Sequence, residues 1–245
     1  MIRIVRPELA QELADRLPPL TAEIANATDT ANTARLLWKR TQVRRTVHAP
    51  LRKVLADMAP GIECCMYCGD SQGTDIDHFE PLVLNPLRTF DWLNHLLACS
   101  TCNSHNKGSF FPLDSDGTPL LIDPTVEDPF DHLVLTPSLG VYHGLTPKGL
   151  TTIEVCALNR STLTRGRQQA HRVVLMCLEK WADAYENDMA ADMHEAVITV
   201  REQPFADVCQ SLLRLALSPG ASRVFDDPHV LDLLRRPELR EALLT

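Results

Sequence analysis

Residues 64–108 read CCMYCGDSQGTDIDHFEPLVLNPLRTFDWLNHLLACSTCNSHNKG, a stretch bracketed by two Cys-x-x-Cys pairs, Cys65/Cys68 and Cys99/Cys102. Two intervening residues let both sulfurs of a pair approach one metal ion from a tight turn, and four thiolates suit a tetrahedral zinc. Cys64 is an alternative first ligand, although the two-residue spacing favours Cys65. Binding a structural zinc contributes on the order of 10–16 kcal/mol to folding a small module. A stretch this poor in large apolar residues depends on such a contribution.

The thirty residues between the inner cysteines have room for a hairpin and the start of a helix. Thr74–Pro81 (TDIDHFEP) reads as a strand closed by proline, and Trp92–Ala98 (WLNHLLA) as the returning strand. Ser100 or Thr101 caps a short helix carrying Cys102, Asn103, Asn106 and Lys107, stopped by Gly108. Within this frame lie Asp75, Asp77, His78, Asn94 and Asn103, hard oxygen donors and an imidazole that a structural zinc does not need. Strand alternation puts Asp77 and His78 on opposite faces, so both serve one site only if the strand distorts toward Pro81.

These residues carry a resemblance to the HNH (ββα-metal) endonucleases, with signature positions on His78, Asn94 and Asn103. One departure is the spacing from Asn103 to Lys107, a residue longer than the frequent Cys-Asn-x-x-Lys-Gly form. The resemblance implies a mainly helical α+β chain around a zinc-stabilised, treble-clef-like ββα core. It implies a structural zinc on Cys65, Cys68, Cys99 and Cys102, and a catalytic Mg²⁺ or Mn²⁺ on Asp77 and Asn103. His78 would be the general base and Asn94 the residue orienting it. Lys107, His105, Arg44 and Arg45 are candidate nucleic-acid contacts. Outside the motif, Phe90-x-Trp92-x-Asn94, Leu121-Ile-Asp-Pro124 with Glu127-Asp-Pro129, and Leu158-Asn-Arg160 with Leu163 and Arg167 are similar to the HNH proteins of Septu-type and retron-associated antiphage systems. That similarity implies an effector nuclease acting on DNA beside an SMC/ABC-like ATPase. Arg160 and Arg167 read as phosphate or partner contacts, or as solvated helix arginines. Two competing readings stay open: a non-catalytic zinc module binding nucleic acid or protein, and an HNH nuclease acting on RNA.

The rest of the 245-residue chain fits an ordinary globular composition, 44% hydrophobic and 23% charged. No apolar run approaches the roughly 18 residues a membrane span needs. The start, MIRIVRPELAQELADRL, lacks the pattern of a secretory signal, and eight cysteines then point to a reducing cytoplasm rather than disulfides. Cys156, Cys177 and Cys209 read as buried small hydrophobes. Net charge is −8, which disfavours phosphate binding, yet Thr30–Ala56 holds seven basic residues and no acidic one.

Four regions are expected. Residues 1–60 are helical and carry the basic strip: an edge strand at Met1–Arg6, a helix stopped by Pro18-Pro19, one from Thr33 to Val47, and another from Pro50 toward Pro60-Gly61. Residues 61–113 form the zinc core. Residues 114–150, with six prolines from Phe110 to Leu150, are turn-rich with short strands in LLIDPTVEDPFDHLVL. Residues 151–245 are helical, beginning with a helix capped by Ser161, and their apolar faces suggest a partner-docking region.

Overall fold

The computed structural model describes residues 1–244 and is mainly helical, with two small hairpins. The N-terminal part holds α1 (Gln11–Ala14), α2 (Leu17–Ala25), α3 (Thr30–Lys39), α4 (Thr41–Val43) and α5 (Ala49–Met58), with a π-helical turn, Arg44–His48, between the last two. The first hairpin pairs β1 (Asp75–His78) with β2 (His95–Ala98), and a second π-helical turn, Thr101–Lys107, follows. The second hairpin pairs β3 (Leu133–Thr136) with β4 (Val141–Gly144). Then come α6 (Pro147–Val155), the 26-residue α7 (Ser161–Glu186), α8 (Ala190–Glu202) and α9 (Ala206–Leu215). The described chain closes with α10 (Ala221–Val224), α11 (Pro228–Arg235) and α12 (Pro237–Leu244). No described helix is long and apolar enough to cross a membrane.

Several local expectations need correcting. Pro18 and Pro19 begin α2 rather than ending a helix, because the first turn has no amide hydrogen bonds to lose. The helix expected from Thr33 to Val47 starts earlier, where Asp29 accepts from the Asn32 amide, and breaks at Arg40, whose ψ of 126° leaves the helical region. Met1–Arg6 forms no strand. It runs extended along the core, with the Ile4 amide on the Pro124 carbonyl and the Arg6 guanidinium on the Trp92 and His95 carbonyls at 2.9 Å each. Arg160, not Ser161, occupies the N-cap of α7.

One contiguous apolar core runs from Met1 and Ile4 through the cysteines to Leu243. From α7 it takes Leu163, Val174, Leu178 and Trp181, so this helix spends much of its apolar face inside the chain. Cys156 and Cys209 are buried, while Cys177 is partly exposed.

The candidate metal centre and the buried histidine beside it

The first knuckle is fastened to the hairpin by its own backbone. The Met66 amide donates to the Leu97 carbonyl at 2.9 Å, the Cys65 amide to Asp70 and the Gly69 amide to Cys65, both at 2.8 Å. Gly69 turns with φ +77°, a conformation costly for any residue with a Cβ. The second knuckle continues β2 directly into the π-helical turn, where the Cys102 amide donates to Cys99 Sγ at 3.4 Å. Cys65, Cys68, Cys99 and Cys102 are buried, and their sulfurs all lie within 4.8 Å of one another. A zinc with bonds of ~2.3 Å needs sulfurs about 3.8 Å apart, and Cys68 and Cys99 stand at 3.9 Å. These four residues could hold a zinc ion. Hydrogen bonding among the four thiols holds Cys99 well below the usual thiol range and pushes Cys102 well above it, so the cluster shares its protons when no cation is bound. Cys64 is outside the cage, its sulfur 3.9 Å from the Ile62 carbonyl.

His78 lies on the far side of β1. Its ring is 4.5 Å from Trp38 and 5.1 Å from His95, and His48 also lies against Trp38 at 3.8 Å. His78 Nε2 and His95 Nε2 each lie 3.0 Å from the Thr89 carbonyl oxygen. A carbonyl only accepts, so both rings carry their proton on Nε2, and the His78 lone pair is on Nδ1. Burial, the largest cause, pushes His78 down to about 4 and His95 well below its ordinary value. Both are neutral near pH 7.

Asn94 is fully buried and braces this loop. Its side-chain oxygen accepts from the Glu80 amide at 2.8 Å, and its nitrogen donates to the carbonyls of Glu80 and Arg88 at 3.0 and 3.1 Å. The loop so held ends at Thr89, the residue that meets the His78 ring.

Asp77 does not share that face. The hairpin register stays regular through Asp77↔Leu96 and His78↔His95, so the strand does not distort to bring the two side chains together. The Asp77 carboxylate, 3% exposed, accepts from the Tyr67 hydroxyl at 2.6 Å and lies 3.0 Å from the Lys107 ammonium. Lys107 also donates to the His78 carbonyl at 2.7 Å. Two expectations are corrected. Lys107, its side chain fully enclosed, is not a phosphate contact, and Asp77 is not an open metal ligand. The reason is electrostatic: a carboxylate this deep requires a cation, and Lys107 is the one in reach. Burial pushes the Asp77 carboxyl up against the opposing pull of Lys107 and Tyr67. Lys107 reaches because the segment Thr101–Lys107 is a π-helical turn, closed by the Gly108 amide on the Asn103 carbonyl at 2.7 Å. Such a turn absorbs one inserted residue, which accounts for the longer spacing from Asn103.

Asn103 is partly exposed, and its side-chain amide has no hydrogen-bond partner among the described residues. Among those residues, the cysteine cage is the only group of three or more Cys, His, Asp or Glu ligands close enough to share an ion. A hard divalent cation on Asp77 and Asn103 does not fit these side chains as they stand. His105 is exposed, with Nδ1 3.0 Å from the Ser100 carbonyl. Arg44 and Arg45 are exposed on the π-helical turn that carries His48, and Arg35 and Lys39 on the helix that carries Trp38. These four basic residues have no carboxylate partner among the described residues, whereas Arg40, Arg52 and Lys53 pair with Glu23, Glu63 and Asp57.

Arg160, partly exposed, and Arg167, buried, both turn their guanidinium groups toward the cysteine knuckles. Arg160 donates to Cys102 Sγ at 3.7 Å and to Cys68 Sγ at 3.6 Å. Arg167, fully buried, pairs with Asp207 at 3.2 Å and donates to the Cys68 carbonyl at 3.3 Å. Sequence reasoning passed over Trp38, His95, Thr89 and Tyr67. Only His95 carried a signal, since hairpin pairing places it opposite His78. Neither family models nor curated proteins give any match to this chain.

Proposed function

We propose that this chain is an HNH-type endonuclease that hydrolyses phosphodiester bonds of DNA, with His78 as the general base. The observation that carries the reading is the pairing of His78 Nε2 with the Thr89 carbonyl, which leaves Nδ1 as a lone pair on a ring that burial keeps neutral. A base must arrive unprotonated and correctly oriented: burial keeps the ring neutral against the contact's own pull toward protonation, and the contact sets its orientation. In the reaction, Nδ1 takes a proton from the attacking water while the Thr89 carbonyl steadies the charge developing on the ring. Asn94 fixes that carbonyl through the 80–89 loop. The exposed cations Arg35, Lys39, Arg44 and Arg45 lie on elements packed around the same ring through Trp38 and His48, a placement suited to the backbone of a nucleic acid.

The Mg²⁺ or Mn²⁺ that the sequence resemblance implies would require Asp77 to release Lys107. The place beside an SMC/ABC-like ATPase in antiphage defence rests on the sequence similarity, with the C-terminal helices as the docking region.

The test is cleavage of plasmid DNA by wild type and His78→Ala, each with Mg²⁺, Mn²⁺ or EDTA. Loss of about 10²–10⁴-fold in His78→Ala is expected of a missing base; equal cutting removes His78 from the mechanism. Labelled tRNA offered beside duplex DNA separates the two substrates. The closed Asp77–Lys107–Tyr67 group favours a second reading, a non-catalytic zinc module. Binding of DNA by wild type and His78→Ala alike, with no cleavage under any of these conditions, would select it.

A further inference from the structure

We propose that Arg160 is a positioning residue for the zinc centre, bridging the two cysteine knuckles from outside the cage; this rests on the four thiols holding zinc and not on the nuclease reading. Its two terminal nitrogens reach one sulfur from each pair, Cys102 at 3.7 Å and Cys68 at 3.6 Å. The guanidinium is held for that role: one of the same nitrogens donates to the Cys156 carbonyl at 3.2 Å. The segment before it is clamped as well. Asn159 exchanges two hydrogen bonds of 2.8 Å with the Tyr142 backbone, and Ala157 sits at φ +47°.

The chemistry explains why a cation belongs there. A zinc ion on four thiolates leaves two negative charges in excess inside a buried cage, and a charge-assisted N–H donor offsets them more strongly than a neutral amide. Arginine presents such donors in a planar fork wide enough for two sulfurs, which a lysine ammonium cannot do. Hydrogen bonds to ligand sulfurs withdraw charge from them, which disfavours their protonation and the loss of metal. Arg160 belongs to the α6–α7 connection, far in sequence from the cysteines, so the C-terminal half of the chain completes the metal's surroundings. Arg167 on the Cys68 carbonyl and the Phe205 amide on the Gly69 carbonyl at 2.7 Å fasten the same knuckle to α7 and α9.

The experiment compares full-length wild type, Arg160→Gln, Arg160→Lys and the exposed control Arg172→Gln. Zinc content is measured, then the chelator concentration that removes half the metal, and the sulfur-to-metal charge-transfer band after Co²⁺ substitution. Outer partners of metal ligands typically contribute about 10–100-fold to affinity, so Arg160→Gln should release zinc at a chelator concentration at least about tenfold lower. Arg160→Lys should fall severalfold, and Arg172→Gln should match wild type. The cobalt band should move to lower energy in Arg160→Gln, a change that loss of packing alone would not produce. An unchanged chelator midpoint in Arg160→Gln overturns the proposal, even if its melting temperature drops. If that variant does not fold, an unchanged midpoint in Arg160→Lys overturns it instead. Wild type without bound zinc would refute the premise about the cage itself.

Discussion

Lys107→Met would isolate the Asp77 carboxylate. In the native chain the two side chains are 3% and 0% exposed, and the ammonium lies 3.0 Å from one carboxylate oxygen and 3.1 Å from the other. At an effective dielectric constant near 20, charges this close attract by about 5 kcal/mol, most of it offset by their desolvation. Removing one partner forfeits the attraction and keeps the desolvation cost, so the expected loss is about 3–5 kcal/mol. Methionine keeps most of the stem's packing, so little of that loss should come from a cavity. Asp77→Asn in the same background should recover most of it, since a neutral amide can still meet Tyr67. The sign of the pH dependence follows. Burial raises the Asp77 carboxyl, and losing Lys107 raises it further, so the folded form takes up a proton more readily than the unfolded one. The deficit of Lys107→Met should therefore shrink as pH falls and deepen as it rises. Urea denaturation of the two single variants and the double variant measures the coupling. A Lys107→Met penalty below about 1 kcal/mol, or a double variant no better than the single, would refute the buried pair. The same set tests metal access: stabilisation by Mg²⁺ in Lys107→Met but not in wild type would show that Lys107 holds the place of a cation.

Cys99→Ser should lower the melting temperature by more than about 10 °C, because a cage with three thiolates forfeits much of its metal binding; a zinc-loaded variant melting with wild type would contradict this. The neutral histidines set an acid limit. With a value of about 4 in the fold and an ordinary one near 6.5 when unfolded, His78 contributes stability that is complete above about pH 6.5 and lost as pH falls toward 4. Between about pH 7.5 and pH 5 that is roughly 2 kcal/mol from His78 alone, and His95 acts in the same direction. Denaturation with zinc content followed in parallel checks it, and a flat profile with zinc retained would exclude it. Cleavage, where present, should hold down to about pH 5 rather than fall near 6.5. Arg167→Met should cost about 3 kcal/mol by removing one of the cations that meet the buried Asp207 and by leaving the Gly140, Leu158 and Cys68 carbonyls without their donor, read by thermal or urea unfolding.

The cage was legible because its information is local. Two Cys-x-x-Cys pairs state both the ligand type and the turn that presents it, and the spacing between them already implied a hairpin returning to its start. The preference for Cys65 over Cys64 came from that spacing, and the coordinates agree. The alternation that set Asp77 and His78 on opposite faces was equally a property of the strand itself. What Asp77 then meets was not legible. Tyr67 lies in a knuckle, and Lys107 comes within reach only through a π-helical turn, which no propensity rule announces. The same limit hid Trp38 and Thr89 beside His78, and Arg160 at the sulfurs. The sequence by itself determined the four cysteines of the cage, the hairpin and the alternation of its faces, because these depend on neighbours a few residues apart. Only the tertiary structure decided which buried charge found which counter-charge, because that depends on side chains brought together across the chain by a core that desolvates them.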